Sequence, residues 1–186
     1  MTTDALIDAQ RLKAGVLQTT ARLETNPDGG VIRPAVETRL IRDVSVEARF
    51  EQHGREFVFR SDEPTGRGGH AAGPTAIRYF LSGIAFCLQV WYAKGAALVG
   101  CDLNGLTLDL EAVLDMRREY ALPPTGVAEH LVALISVDSP SPTSLVLAMV
   151  DEAHRRCPLS NLVAPSLPLE ARVRHNGELI RDTLGT

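Results

Sequence analysis

The fifteen residues at 79–93, Tyr-Phe-Leu-Ser-Gly-Ile-Ala-Phe-Cys-Leu-Gln-Val-Trp-Tyr-Ala, hold no charged side chain. Ile77, Phe80, Ile84, Cys87 and Trp91 recur at spacings of three and four, which predicts a helix with a core-facing stripe. Leu81, Phe86, Leu88 and Val90 make its other sides apolar too, so this helix has to be central in its fold. Ser82, Gly83 and Gln89 interrupt the run, which falls short of the about 20 residues a bilayer requires. The expectation is a buried helix, ended by Gly95, and no membrane partner.

The segments around it supply a sheet to bury it against. Val44, Val46, Ala48 and Phe50 alternate, Gln52-His-Gly-Arg is a turn, and Phe57 and Phe59 follow, which reads as a β-hairpin. Residues 62–74 are rich in turn formers and end at Pro74, suited to the first position of the helix. After the helix, Leu106, Leu108 and Leu110 mark a strand, residues 127–137 another, and Leu167, Leu169, Ala171 and Val173 a last one before Asn176-Gly177. Ser139-Pro-Ser-Pro-Thr leads into a second helix through Val146, Val150, Ala153 and Cys157. Antiparallel strands grouped around two main helices define an α+β class, with one domain over residues 44–186. Residues 1–43, with helical spacing at 4–17 and a turn at 26–30, read as an N-terminal extension of unassigned role.

Nineteen Lys plus Arg stand against 23 Asp plus Glu, a net charge of −4, which leaves no basic footprint for nucleic acid. Three widely spaced cysteines and an N-terminus without a basic region before an apolar run predict a reducing, cytoplasmic setting.

Two of those cysteines are the candidates for chemistry. Cys87 and Cys157 each fall on the stripe of one long helix, so helix packing can bring their thiols to one interface. Pro158 disfavours helical geometry at Cys157 and suits the start of a new helical turn, which sets the Cys157 thiol at a helix N-terminus where thiolate is favoured. The competing reading of each is a small apolar core residue, and Cys101, beside Gly100, is read only that way. His154 and Cys157 lie three apart, but no second pair completes a metal site, so His154 is read as a surface histidine. Gly66-Arg-Gly-Gly69 lacks the lysine of a phosphate loop and reads as a flexible connector. Ser82-Gly83 reads as a place for close helix packing.

The loop Gly68-Gly69-His-Ala-Ala-Gly73-Pro74, the helix with Cys87 thirteen residues after that proline, the following Leu-Gln-Val-Trp-Tyr-Ala, and Cys157-Pro158-Leu-Ser-Asn occur in this order. Together they resemble the OsmC/Ohr family of osmotically inducible and organic hydroperoxide resistance proteins, over about residues 44–173. The resemblance implies an intertwined homodimer, cofactor-free and without a metal. It implies a peroxidatic Cys87, a resolving Cys157, and reduction by a dithiol such as a lipoylated protein. An apolar pocket would favour organic hydroperoxides as substrates. The activating arginine of the family lies in the N-terminal hairpin loop, which points to Arg55, with Arg49 as the weaker candidate. Family peroxidases carry a glutamate ten residues before the first cysteine, and Ile77 stands there. Arg78 is nine residues from Cys87, about 13 Å along a helix, too far to pair with it. The loss of the acid favours the alternative, a non-catalytic dimer of the same fold that binds a hydrophobic small molecule.

Overall fold

The structure, a computed structural model, describes residues 5–185. It divides into two compact units, Arg22–Phe80 and the remainder of the described chain. Helix α1 is Ala9–Thr25, so the helical spacing read at 4–17 runs on until Asn26-Pro27 stops it; Asp4 lies outside the described residues.

In the unit Arg22–Phe80, strands β1 (Glu37–Arg42), β2 (Ser45–Gln52) and β3 (Arg55–Ser61) form an antiparallel sheet in the order β1-β2-β3. The β2–β3 turn holds His53 and Gly54 at positive φ, +54° and +69°, the two-residue geometry that matches strand twist. The segment read as an appendage thus supplies β1. Its Thr-Arg-Leu-Ile core is exposed throughout and gives no clean alternation to read.

The two faces of this sheet differ in chemistry. On one, Phe50 stacks on Phe57 and Phe59 at centroid separations of 5.5 and 5.6 Å, and Tyr79 meets Phe59 edge-on. On the other, Glu47 sits at the centre of β2, buried, and receives Arg39 from β1 at 3.3 Å, Arg60 from β3 at 3.2 Å and Arg49 at 2.8 Å. Arg49, ahead of Arg60, holds the Glu47 carboxyl below its ordinary range against the burial that raises it.

Residues 62–74 are pinned rather than flexible. The buried Asp62 carboxylate accepts the backbone N–H groups of Glu63, His70 and Ala72 at 2.8, 3.1 and 3.0 Å, and the Ala72 bond leads in holding its carboxyl below the usual range. A Cβ at Gly69 would lie 1.9 Å from the Glu63 carbonyl oxygen, so this position of the glycine-rich loop admits no side chain.

Both depressed carboxyls stabilise this unit fully above the ordinary carboxylate pKa of about 4, and the stabilisation is lost as pH falls through their lower folded values. Amide exchange of β2 and β3 is expected to accelerate on acidification below about pH 4, and Glu47→Gln to remove part of that dependence. Exchange independent of pH after correction for intrinsic rates would contradict it.

The remaining unit has a four-stranded sheet in the order β4-β5-β6-β7, from Gly105–Val113, His130–Asp138, Leu169–His175 and Glu178–Asp182. β5 and β6 are parallel, against the all-antiparallel expectation, because α3 (Thr143–Arg156) and α4 (Pro158–Val163) form a crossover between them. β7 follows the Asn176-Gly177 turn beyond the last strand read from sequence. Along β5, Leu131, Ala133, Ile135 and Val137 are buried, and they meet Val146, Met149, Val150 and Ala153 of α3 in one core.

Helix α2 is Ala76–Val99, starting two residues after Pro74. Its buried side is Ile84, Leu88, Tyr92 and Ala96, rotated by about one position from the stripe read at Ile84, Cys87 and Trp91. One sheet and α3 cover only that side, so Phe80, Phe86 and Val90 stay exposed within a single chain, Phe86 by 68%. Its 24 residues are long and apolar enough to cross a bilayer, yet Leu88, Tyr92 and Ala96 are fully buried in protein. Gly95 does not end it: a Cβ there would lie 2.9 Å from the Met149 carbonyl oxygen, so Gly95 lets α3 approach α2. The close packing expected at Gly83 is therefore found at Gly95, since nothing lies within 4 Å of a Cβ at Gly83. The helix stops before Gly100, whose φ is +77°.

Candidate active site

Cys87 projects from the middle of α2 and is half-buried, while Cys157 is fully buried at the junction of α3 and α4. Pro158 shapes that junction. Cys157 takes φ −66° and ψ 111°, ending α3 and capping α4. Its N–H still donates to Ala153 at 2.9 Å, and its carbonyl accepts from Asn161 N–H at 3.1 Å and Ser160 Oγ at 3.2 Å, so the backbone around the thiol is fixed on both sides.

The two thiols are neighbours: Cys157 lies close enough to act on the Cys87 thiol, and both are free. The first turn of α4 acts on Cys87, where the Leu159 N–H favours the thiolate, while the Cys157 side chain makes no capping bond. Burial pushes the Cys87 thiol up, the Leu159 N–H opposes this, and Cys157 adds to the rise as a neighbour competing for negative charge. Lys94 adds a positive charge that opposes the rise, as the smallest of these effects.

Behind Cys157, the fully buried Tyr92 hydroxyl bonds His154 Nε2 at 2.6 Å. His154 is therefore a largely enclosed partner of Tyr92 rather than a surface histidine, and burial lowers its pKa so that it is neutral near pH 7. Burial likewise raises the Tyr92 phenol far above its ordinary value. Among the described residues no three His, Cys, Asp or Glu side chains are grouped to hold a metal ion.

Arg55 opens β3 in the unit Arg22–Phe80 and is exposed. Arg49 pairs with Glu47 and Glu56. Ile77 is half-buried and Arg78 exposed in the first turn of α2. Cys101 is buried, its sulfur 3.7 Å from Ser139 Oγ. Sequence reasoning weighed only arginines as the cation for Cys87 and missed Lys94, although Cys87, Trp91 and Lys94 share one side of a helix at i, i+4 and i+7.

The profile of the OsmC-like protein family matches residues 68–172, which contain the glycine-rich loop, α2 and both site cysteines. The chain belongs to the OsmC-like family. Solved structures of OsmC-like fold agree. An OsmC-like protein from Mycoplasma pneumoniae is 20% identical, aligns over 78% of this chain and 96% of its own, and has a TM-score of 0.62. An organic hydroperoxide resistance protein OsmC from Legionella pneumophila is 19% identical over 77% and 98%, with a TM-score of 0.55. An organic hydroperoxide resistance protein from Elizabethkingia anophelis is 13% identical over 78% and 99%, with a TM-score of 0.58. Comparison with curated proteins gave no match. At these identities the likeness establishes the OsmC fold.

Proposed function

We propose that this OsmC-like protein is a cytoplasmic, homodimeric thiol peroxidase that reduces organic hydroperoxides through Cys87, with Cys157 as the resolving thiol. The observation that carries the reading is the closeness of the half-buried Cys87 to the buried Cys157. Cys87 thiolate attacks the terminal peroxide oxygen, the O–O bond breaks, the alkoxide leaves and is protonated to alcohol, and Cys87 keeps the oxygen as a sulfenic acid. Cys157 thiolate then attacks the Cys87 sulfur, hydroxide leaves and is protonated to water, and a disulfide forms. An external dithiol, such as a lipoylated protein, returns the two electrons by exchange. No cofactor enters, and Arg55 is the arginine assigned to favour the thiolate.

The exposed Phe86 and Val90, four apart on α2, support a homodimer that covers this side of the helix. Sedimentation is expected to give a species near twice the chain mass, and Phe86→Asp to shift it toward the monomer; a folded monomer at micromolar concentration would contradict the assembly.

The chemical reading is tested by turnover. With dihydrolipoamide as reductant, cumene hydroperoxide is expected to be consumed faster than hydrogen peroxide, and Cys87→Ser to abolish both. A second reading, a non-catalytic binder of a hydrophobic small molecule, draws support from Ile77 and from the burial that raises the Cys87 thiol. It predicts no turnover with either peroxide.

A further inference from the structure

Lys94 follows Cys87 by seven residues on α2, and Trp91 stands between them, one turn after the cysteine. Helical side chains lean toward the N-terminus, so the Lys94 side chain runs back along α2 in the direction of Cys87. Its ammonium rests over the Trp91 ring, 4.9 Å from the centroid, within the range of a cation–π contact. This contact holds a flexible chain in one place, and Lys94 has no carboxylate partner among the described residues, so its charge stays uncompensated.

We propose that Lys94 is an electrostatic activator of Cys87, its ammonium docked on Trp91 so that the charge is delivered to the turn of α2 carrying the thiol. The inference rests on Cys87 being the attacking thiol. The other described groups of the unit that holds the dithiol do not supply this charge, which acts alongside whatever Arg55 contributes. Arg156 also approaches Trp91, at 5.9 Å, but its guanidinium pairs with Glu152 at 2.6 Å, and Arg155 pairs with the same carboxylate. Cys157 disfavours a charge on Cys87, and behind it Tyr92 and His154 are neutral. Arg181, which acts on Tyr92 and His154, is paired with Asp151 at 2.6 Å. Lys94 also lowers the Cys87 pKa in the sense the proposal requires, with burial, the Leu159 N–H and Cys157 as the larger effects.

The test is alkylation of Cys87 by iodoacetamide in the intact chain, followed by peptide-resolved mass spectrometry across pH. Lys94→Gln is expected to slow alkylation near neutral pH about three- to tenfold and to displace the pH curve upward, since one pKa unit is tenfold in thiolate below the pKa. Lys94→Arg, which keeps the charge and the ring contact, is expected to restore the wild-type curve. A Lys94→Gln curve that superimposes on wild type, or a Lys94→Arg curve as displaced as that of Lys94→Gln, overturns the proposal. No peroxide enters this assay, so a chain that shows the shift yet turns over no hydroperoxide contradicts the proposed activity while leaving the Lys94 assignment intact.

Discussion

Cys157→Ser protein exposed to one equivalent of an alkyl hydroperoxide will accumulate a sulfenic acid on Cys87 that dimedone traps, whereas the wild-type chain will not. The difference arises because Cys157 is held beside Cys87 by the α3–α4 junction, with its backbone bonded to Ala153, Ser160 and Asn161, and so intercepts the sulfenic acid as it forms. Removing that thiol leaves the oxidised Cys87 no partner in reach. Cys101, buried beside Ser139, makes its closest sulfur contacts away from this pair, and Cys101→Ser is expected to behave as wild type. A Cys157→Ser chain that gives no adduct, or one that gives it on Cys101, removes Cys157 from the resolving role. Excess hydroperoxide should carry the Cys157→Ser chain on to sulfinic acid, a lesion the wild-type chain avoids.

The second large effect is on stability. Leu88, fully buried one turn before Tyr92, packs into the core beneath the site. Leu88→Ala removes its apolar surface and leaves a cavity, at a cost of about 2–5 kcal/mol. For a chain of this size that lowers the thermal midpoint by roughly 5–15 °C. Leu162, 75% exposed on α4, is the contrasting position: Leu162→Ala should fall within about 0.5 kcal/mol of wild type. Calorimetry of both variants decides it, and equal midpoints would mean that Leu88 does not carry the core assigned to it.

The order of elements and the two cysteine positions were legible in the sequence because they depend on local rules. Pro158 constrains Cys157 directly, and the alternation of Val46, Ala48 and Phe50 against Phe57 and Phe59 is a short-range pattern. What escaped reading depends on tertiary neighbours. Gly95 looks like a helix stop by type, and only the approach of Met149 explains why glycine sits inside α2. His154 looks like a surface residue until Tyr92, distant in sequence, is placed against it. The loop at 62–74 looks flexible by composition, yet one carboxylate, Asp62, gathers three of its N–H groups. An apolar run that offers hydrophobic residues at every angle fixes a helix without fixing its rotation, so the buried side settled on Leu88 and Tyr92. At the site, the pair Cys87 and Cys157 was readable, but the Leu159 N–H reaches Cys87 only through the fold, and the charge of Lys94, though spaced on the same side of α2, was not read.

The most direct measurement is the intact mass and thiol count of the reduced wild-type chain after one equivalent of an alkyl hydroperoxide. Loss of two thiols and of two hydrogens' mass per chain is expected, with peptide mapping placing the single new disulfide between Cys87 and Cys157. An unchanged mass, or a disulfide that involves Cys101, would contradict it.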